Sequence, residues 1–188
     1  GSGKTSVSKM LEKLGVHIID TDVIAHEIVE PNGECLNELV DYFGDSILND
    51  DKTLNRKKLA SIAFSDKQKT VALSNITHKY IRAEVVKDIN TTDAELVGID
   101  GAVIIGSNVE PLCEFIVSVI ADKQSRITRI KTRDNITDEQ AIQRINAQND
   151  DEFYKENSMY IIYNNGDIAQ LESDVVGLFN KIKGNSFE

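Results

Sequence analysis

What this sequence has little of narrows its class before any motif is read. Basic residues are outnumbered, 21 Lys and Arg against 31 Asp and Glu, for a net charge of −10. A nucleic-acid backbone demands a basic face, so an acidic average excludes nucleic acid as the expected partner; any anion must be met by positive groups concentrated locally. Cysteine is scarce, with two residues. Cys35 and Cys113 lack a spacing partner for zinc, and no secretory signal pattern is read, so both are expected to be inert, half-buried thiols. No apolar run approaches membrane-spanning length, and no internal repeat or low-complexity tract is found. The expectation is a soluble, cytoplasmic chain. What is present, 188 residues at 40% hydrophobic and 28% charged, suits one α/β domain with helical additions and a real core.

The organising stretch is Gly1-Ser2-Gly3-Lys4-Thr5-Ser6. Gly3-Lys4-Thr5 supplies the last three positions of the phosphate-loop motif G-x-x-x-x-G-K-[ST]. Its opening glycine, and the strand expected before it, would lie upstream of Gly1. Glycines let successive backbone N–H groups curl into an anion-binding concavity that a Cβ would crowd. Lys4 adds a point charge for β- and γ-phosphates, and Thr5 a hydroxyl for Mg²⁺. Val7, Met10, Leu11 and Leu14 then recur at helical spacing, and a helix starting here points its positive end at the same anion. A linker-like Gly-Ser start is the competing reading; the helix that follows at once speaks against it.

Gly15 predicts the end of that helix, and Val16-His17-Ile18-Ile19 a short strand ending at Asp20-Thr21-Asp22. Carboxylates at the C-terminal end of a strand in an open α/β sheet face the ligand crevice, so Asp20 and Asp22 are candidates for catalysis or metal binding. One of them alternatively caps a helix over Val23–Val29. Residues 34–90 carry apolar positions at helical spacing without strand signals, which predicts a helical insertion. Within it Arg56-Lys57-Lys58 reads as a solvated face, with Arg56 alone an equal candidate for an anionic substrate. Strands are expected again at Glu95–Asp100, at Ala102–Ile105 and in the apolar run Phe115–Ala121. Asp122 then caps a helix bearing Lys123, Arg126, Arg129, Lys131 and Arg133, and Thr137 to Gln140 is a capping-box start for the next. Two arginine-rich helices joined by a short polar turn resemble a lid over phosphates, because the planar guanidinium grips phosphate oxygens in pairs. Tyr160–Tyr163 closes the strands. The turn Asn164-Asn165-Gly166 after it touches a nucleotide base through its backbone, or is simply a turn.

In combination these pieces resemble the dephospho-coenzyme A kinase family. The likeness is carried by Gly1 to Thr5, Ile19-Asp20-Thr21-Asp22-Val23-Ile24-Ala25-His26, Val29-Glu30-Pro31-Asn32-Gly33, Leu54-Asn55-Arg56, Ile76-Thr77-His78, Arg129 with Arg133-Asp134, and Asn164-Asn165-Gly166. It implies phosphoryl transfer from ATP to the ribose 3′-hydroxyl of dephospho-coenzyme A, the last step of coenzyme A synthesis. It also implies a phosphate-loop core with a five-stranded parallel sheet flanked by helices. The core is expected at 1–30, 95–121 and 158–188, a helical coenzyme region at 31–94 and an arginine-rich lid at 122–157. Asp22 matches the family's catalytic carboxylate, assisted by Lys4 and Arg129. Nucleotide contacts are expected from Gly1 to Ser6, Arg129, Arg133 and Asn165; substrate contacts from Asp22, Arg56 and His78; Mg²⁺ from Thr5, with Asp20 in its outer shell. ATP and dephospho-coenzyme A are the expected partners of a monomer.

Two departures stand out. The family's Pro-Leu-Leu-x-Glu segment appears as Ala102-Val103-Ile104-Ile105-Gly106, without its carboxylate, and His78 is followed by Lys79 rather than proline. Two rivals are weighed: a kinase for a nucleoside monophosphate or another small metabolite, against which the long helical region 31–90 fits a bulky acceptor better, and a nucleotide-binding regulator that has lost catalysis, which the altered segment 102–106 keeps open. A signalling GTPase is disfavoured, since no guanine-specific Asn-Lys-x-Asp element is found.

Overall fold

A computed structural model describes residues 1–185. The chain divides into two compact units, the first made of Gly1–Ile18, Ala94–Gly98 and the chain from Cys113 onward, the second of Ile19–Asp93 and Ile99–Leu112.

The first unit opens with α1 (Lys4–Lys13), which Gly15 ends in the left-handed region at φ 94°. Strand β3 (Val117–Ile120) pairs in parallel with β4 (Tyr160–Tyr163), in the register Val117 with Tyr160 through Ile120 with Tyr163. Between them run α6 (Lys123–Asp134), α7 (Asp138–Asn146) and α8 (Asp151–Glu156), and the unit closes with α9 (Ile168–Asn185). Val7, Ile162, Leu171, Val175, Leu178 and Ile182 form its main core, with α1 and α9 packed together. Each such aliphatic side chain contributes about 1.5–3 kcal/mol by leaving water. A smaller cluster of Ile127, Ile130, Ala141 and Ile145 fastens α6 to α7. The Asp122 cap and the Thr137–Gln140 capping box form as expected.

The second unit is chiefly helical: α2 (Thr21–Glu27), α3 (Glu34–Phe43), α4 (Arg56–Ala63) and the long α5 (Lys67–Thr91), around Val29, Cys35, Leu39, Ile47, Leu59 and Ile76. Lys79 lies inside α5, where a proline would remove a helix hydrogen bond and clash with the preceding turn. Its ammonium meets Glu38 Oε2 of α3 at 2.6 Å, and the Tyr80 hydroxyl donates to the same oxygen at 2.7 Å.

Strand β1 (His17–Asp20) pairs with β2 (Val97–Asp100). The result is a mixed α/β chain with parallel strands flanked by helices. Of the five-stranded sheet that the resemblance implies, the described residues hold two ladders of two strands. The strand that the resemblance puts ahead of the loop is not among these residues, and Ala102–Ile105 is no strand. A side chain at Gly101 would strike Thr21 Oγ1 and Ile104, and a turn closed by Ser107 N to Ile104 O, at 3.0 Å, follows with Gly106 at φ 79°. Among the described residues no helix is long and apolar enough to cross a membrane.

Candidate functional site

In the first unit the loop read from the sequence as a phosphate loop runs straight into α1. Gly3 precedes the helix at φ 102° and ψ 17°, and its carbonyl accepts from Ser6 N and Val7 N at 3.0 and 3.1 Å. Among the described residues no side chain caps this end and no acidic residue stands in its first turn, where the helix has its positive terminus. Thr5 and Ser6 are exposed, while Val7 turns into the core.

Arg129, from the middle of α6, reaches this loop. Its Nη1 donates to Ser2 O at 3.3 Å, and its Nη2 to Asn164 O and Oδ1 at 3.0 and 3.4 Å. Asn164 Nδ2 donates to the same Ser2 carbonyl at 2.7 Å. Asn165, the residue singled out in the sequence, is engaged elsewhere, its Oδ1 accepting the Asp122 amide at 2.8 Å. Asp122 in turn caps α6 through Ser125 N at 2.9 Å and Ser125 Oγ at 2.6 Å. Those hydrogen bonds from Ser125 hold the Asp122 carboxyl below its ordinary value, with the nearby Arg129 charge a smaller cause. The end of β4 is thereby tied to both the root of α6 and the phosphate loop. Asn164 is the residue that sequence reasoning missed.

Arg133, expected on the nucleotide, is forked instead onto Asp134, with Nε and Nη2 at 2.7 and 3.0 Å from its two oxygens, and Arg144 joins the same carboxylate. Arg126, the buried arginine of α6, donates to Gln148 Oε1 at 2.7 Å and approaches Asp151 Oδ1 at 3.5 Å, bolting α6 to the turn before α8.

The second unit holds the remaining candidates. Asp20 caps α2: its Oδ1 accepts from Asp22 N and Val23 N at 2.8 and 3.1 Å. Asp22 sits exposed in the first turn of that helix, and its carboxylate has no hydrogen bond or ion pair among the described residues. Thr21 Oγ1 fixes the start of α2 to Asp100 O at 3.0 Å. Exposed Arg56 begins α4, with Nη2 3.5 Å from His26 O. His78 is half-buried in α5, and its carbonyl accepts Asn108 Nδ2 at 2.9 Å; Arg82, one turn on, donates to Asn108 O.

A sequence model of the family described as dephospho-CoA kinase matches residues 1–170. The chain belongs to that family. Its relatives include dephospho-CoA kinases of Lactobacillus johnsonii, 33% identical over 96% of this chain and 93% of theirs, and of Listeria monocytogenes, 33% identical over 98% and 94%. A dephospho-CoA kinase structure from Campylobacter jejuni aligns at a TM-score of 0.69 and 27% identity, covering 97% of this chain and 93% of that one. The TT1252 protein of Thermus thermophilus, at a TM-score of 0.82 and 23% identity over 96% and 92%, shares the fold. The dephospho-CoA kinase family is one of enzymes, which sets this chain apart from the regulator considered as a rival.

Proposed function

We propose that this protein phosphorylates the 3′-hydroxyl of the dephospho-coenzyme A ribose with ATP, giving coenzyme A and ADP. The observation that carries the reading is the meeting of Arg129 with the phosphate loop, in a chain matched by the family model over residues 1–170. Phosphoryl transfer leaves the protein little covalent work, so positioning and charge neutralisation dominate. The ribose oxygen attacks the γ-phosphorus, the bond to the β–γ bridging oxygen breaks, and the electron pair leaves with ADP. Asp22 accepts the hydroxyl proton; its carboxylate, without a hydrogen bond or ion pair among the described residues, supports that role, whereas Asp20 spends one oxygen on its cap. Lys4 and the first-turn amides hold the β- and γ-phosphates. Arg129 neutralises charge beside the loop, and Arg133 exchanges Asp134 for nucleotide oxygens.

Thr5 fits a magnesium ion. Its exposed hydroxyl is a hard oxygen donor, and the absence of any cluster of three His, Cys, Asp or Glu among the described residues accords with a metal held mainly by water and substrate phosphates. When bound, Mg²⁺ supplies charge neutralisation on those phosphates. The helices of residues 31–94, with Arg56 and His78, take the coenzyme side, and residues 122–157 act as the lid. The protein works in the cytoplasm as a monomer.

The test is coenzyme A formation from ATP and dephospho-coenzyme A, run beside nucleoside monophosphate acceptors. Asp22→Asn is expected to lower turnover by roughly 10²–10⁴-fold with ATP affinity unchanged. Transfer to a nucleoside monophosphate in preference to dephospho-coenzyme A would overturn the acceptor, and near-normal turnover of Asp22→Asn would remove that residue from its role.

A further inference from the structure

The peptide joining Ser2 to Gly3 is gripped from one side. Its carbonyl oxygen takes Asn164 Nδ2 at 2.7 Å and Arg129 Nη1 at 3.3 Å. The partners also settle which way the asparagine amide lies. A guanidinium only donates and a carbonyl only accepts, so Oδ1 faces Arg129 and Nδ2 faces Ser2. Asn164 is itself anchored, only 7% exposed and with its backbone N–H donating to Ile120 O at 2.7 Å beyond the last paired residues of β3 and β4.

Peptide planarity converts that grip into an aim. In a trans peptide the C=O and N–H point to opposite sides, and no cis peptide occurs among the described residues. Holding the Ser2 carbonyl toward Asn164 and Arg129 therefore sends the Gly3 N–H away from them. The left-handed Gly3 then swings the chain into α1, the turn by which successive amides come to share one concavity. A Cβ on Gly3 would stand 2.1 Å from Asn164 Nδ2, so with Asn164 in this pose position 3 requires glycine.

We propose that Asn164 is a positioning residue of the phosphate loop. By locking the Ser2 carbonyl it aims the Gly3 N–H at the β-phosphate of a nucleoside di- or triphosphate, and by accepting from Arg129 it holds that guanidinium beside the same group. It acts through Ser2 and Arg129 without touching the nucleotide. This deepens the kinase reading and rests on it.

Calorimetric titration of the full chain with ADP, AMP and dephospho-coenzyme A tests the proposal, using Asn164→Ala and the nearly isosteric Asn164→Asp. The aspartate keeps the volume and the acceptor for Arg129, loses the donor to Ser2, and sets negative charge against that carbonyl. In both variants ADP affinity is expected to fall about tenfold or more, the scale of one oriented hydrogen bond. AMP, which has no β-phosphate, and dephospho-coenzyme A should stay within about twofold, a pattern that general loosening of the fold would not produce. Should the alanine variant fail to fold, the aspartate variant decides. ADP affinity unchanged in Asn164→Asp, or an equal loss for AMP and ADP, overturns the role of Asn164 alone. An unsubstituted protein that binds neither ADP nor ATP overturns the kinase reading and this inference with it.

Discussion

Replacing Gly3 with alanine separates two costs that the structure places at one residue. The first is conformational: at φ 102° an alanine adopts a left-handed backbone at roughly 1–2 kcal/mol. The second is steric. The new methyl would lie 2.1 Å from Asn164 Nδ2, so the buried amide must withdraw from the Ser2 carbonyl. A buried donor left without its acceptor costs about 1–3 kcal/mol. Together the loss is about 2–5 kcal/mol. Gly15→Ala is the control, since it has the same backbone sign at φ 94° but nothing within 4 Å of the added carbon, and should lose only about 1–2 kcal/mol. Urea unfolding compares the midpoints at equal slope, and the melting temperature should fall by about 2–4 °C per kcal/mol for a chain of this size. Coincident midpoints for the two variants would refute the reasoning, because they would mean that Asn164 does not stand over Gly3.

Two further outcomes follow from charge and burial. Hydrogen bonds from Arg133, and then the charges of Arg133 and Arg144, hold the Asp134 carboxyl below its ordinary value. A depressed carboxylate contributes stability that is full above the unfolded value of about 3.9 and is lost as pH falls through the folded one. Asp134→Asn should therefore melt below the parent at neutral pH, the gap narrowing as pH falls below the ordinary carboxylate range; a gap that does not narrow in acid contradicts the pairing. Burial first, and the Glu38 charge second, push the Cys35 thiol up to about 11, against a smaller pull from Lys79. Roughly a thousandth of it is then thiolate at pH 8, so iodoacetamide followed by peptide mass spectrometry should find Cys35 unmodified in the native protein and modified in urea. Rapid native alkylation would show that the α3 face around it is open.

The parts of this molecule that were legible in the sequence are those whose cause is local. Asp122 caps α6 through a residue three positions on, Thr137 and Gln140 cap α7 reciprocally, and the apolar spacing of residues 34–90 needs no distant partner to become helix. Ala102–Ile105 has the composition of a strand but not its circumstance, because its neighbours Gly101 and Gly106 serve a close packing contact and a turn. The short α8 carries too few residues for a helical period to register. Asn164 is a different kind of miss. Its partner Ser2 lies 162 positions away, so no window of sequence joins them, and Asn-Asn-Gly invites a turn reading that draws attention to the second asparagine. A signal was nevertheless present. Side chains alternate along a strand, and Ile162 is the buried member of β4 while Tyr163 is exposed. Extending that alternation by one residue turns Asn164 inward and Asn165 outward, which is the burial observed. An amide side chain on the buried face, just past the C-terminal end of a parallel strand, lies where an open α/β sheet meets its ligand. There it must find partners or cost stability. Strand parity carried beyond the last paired residue thus points to Asn164, while turn propensity points to Asn165.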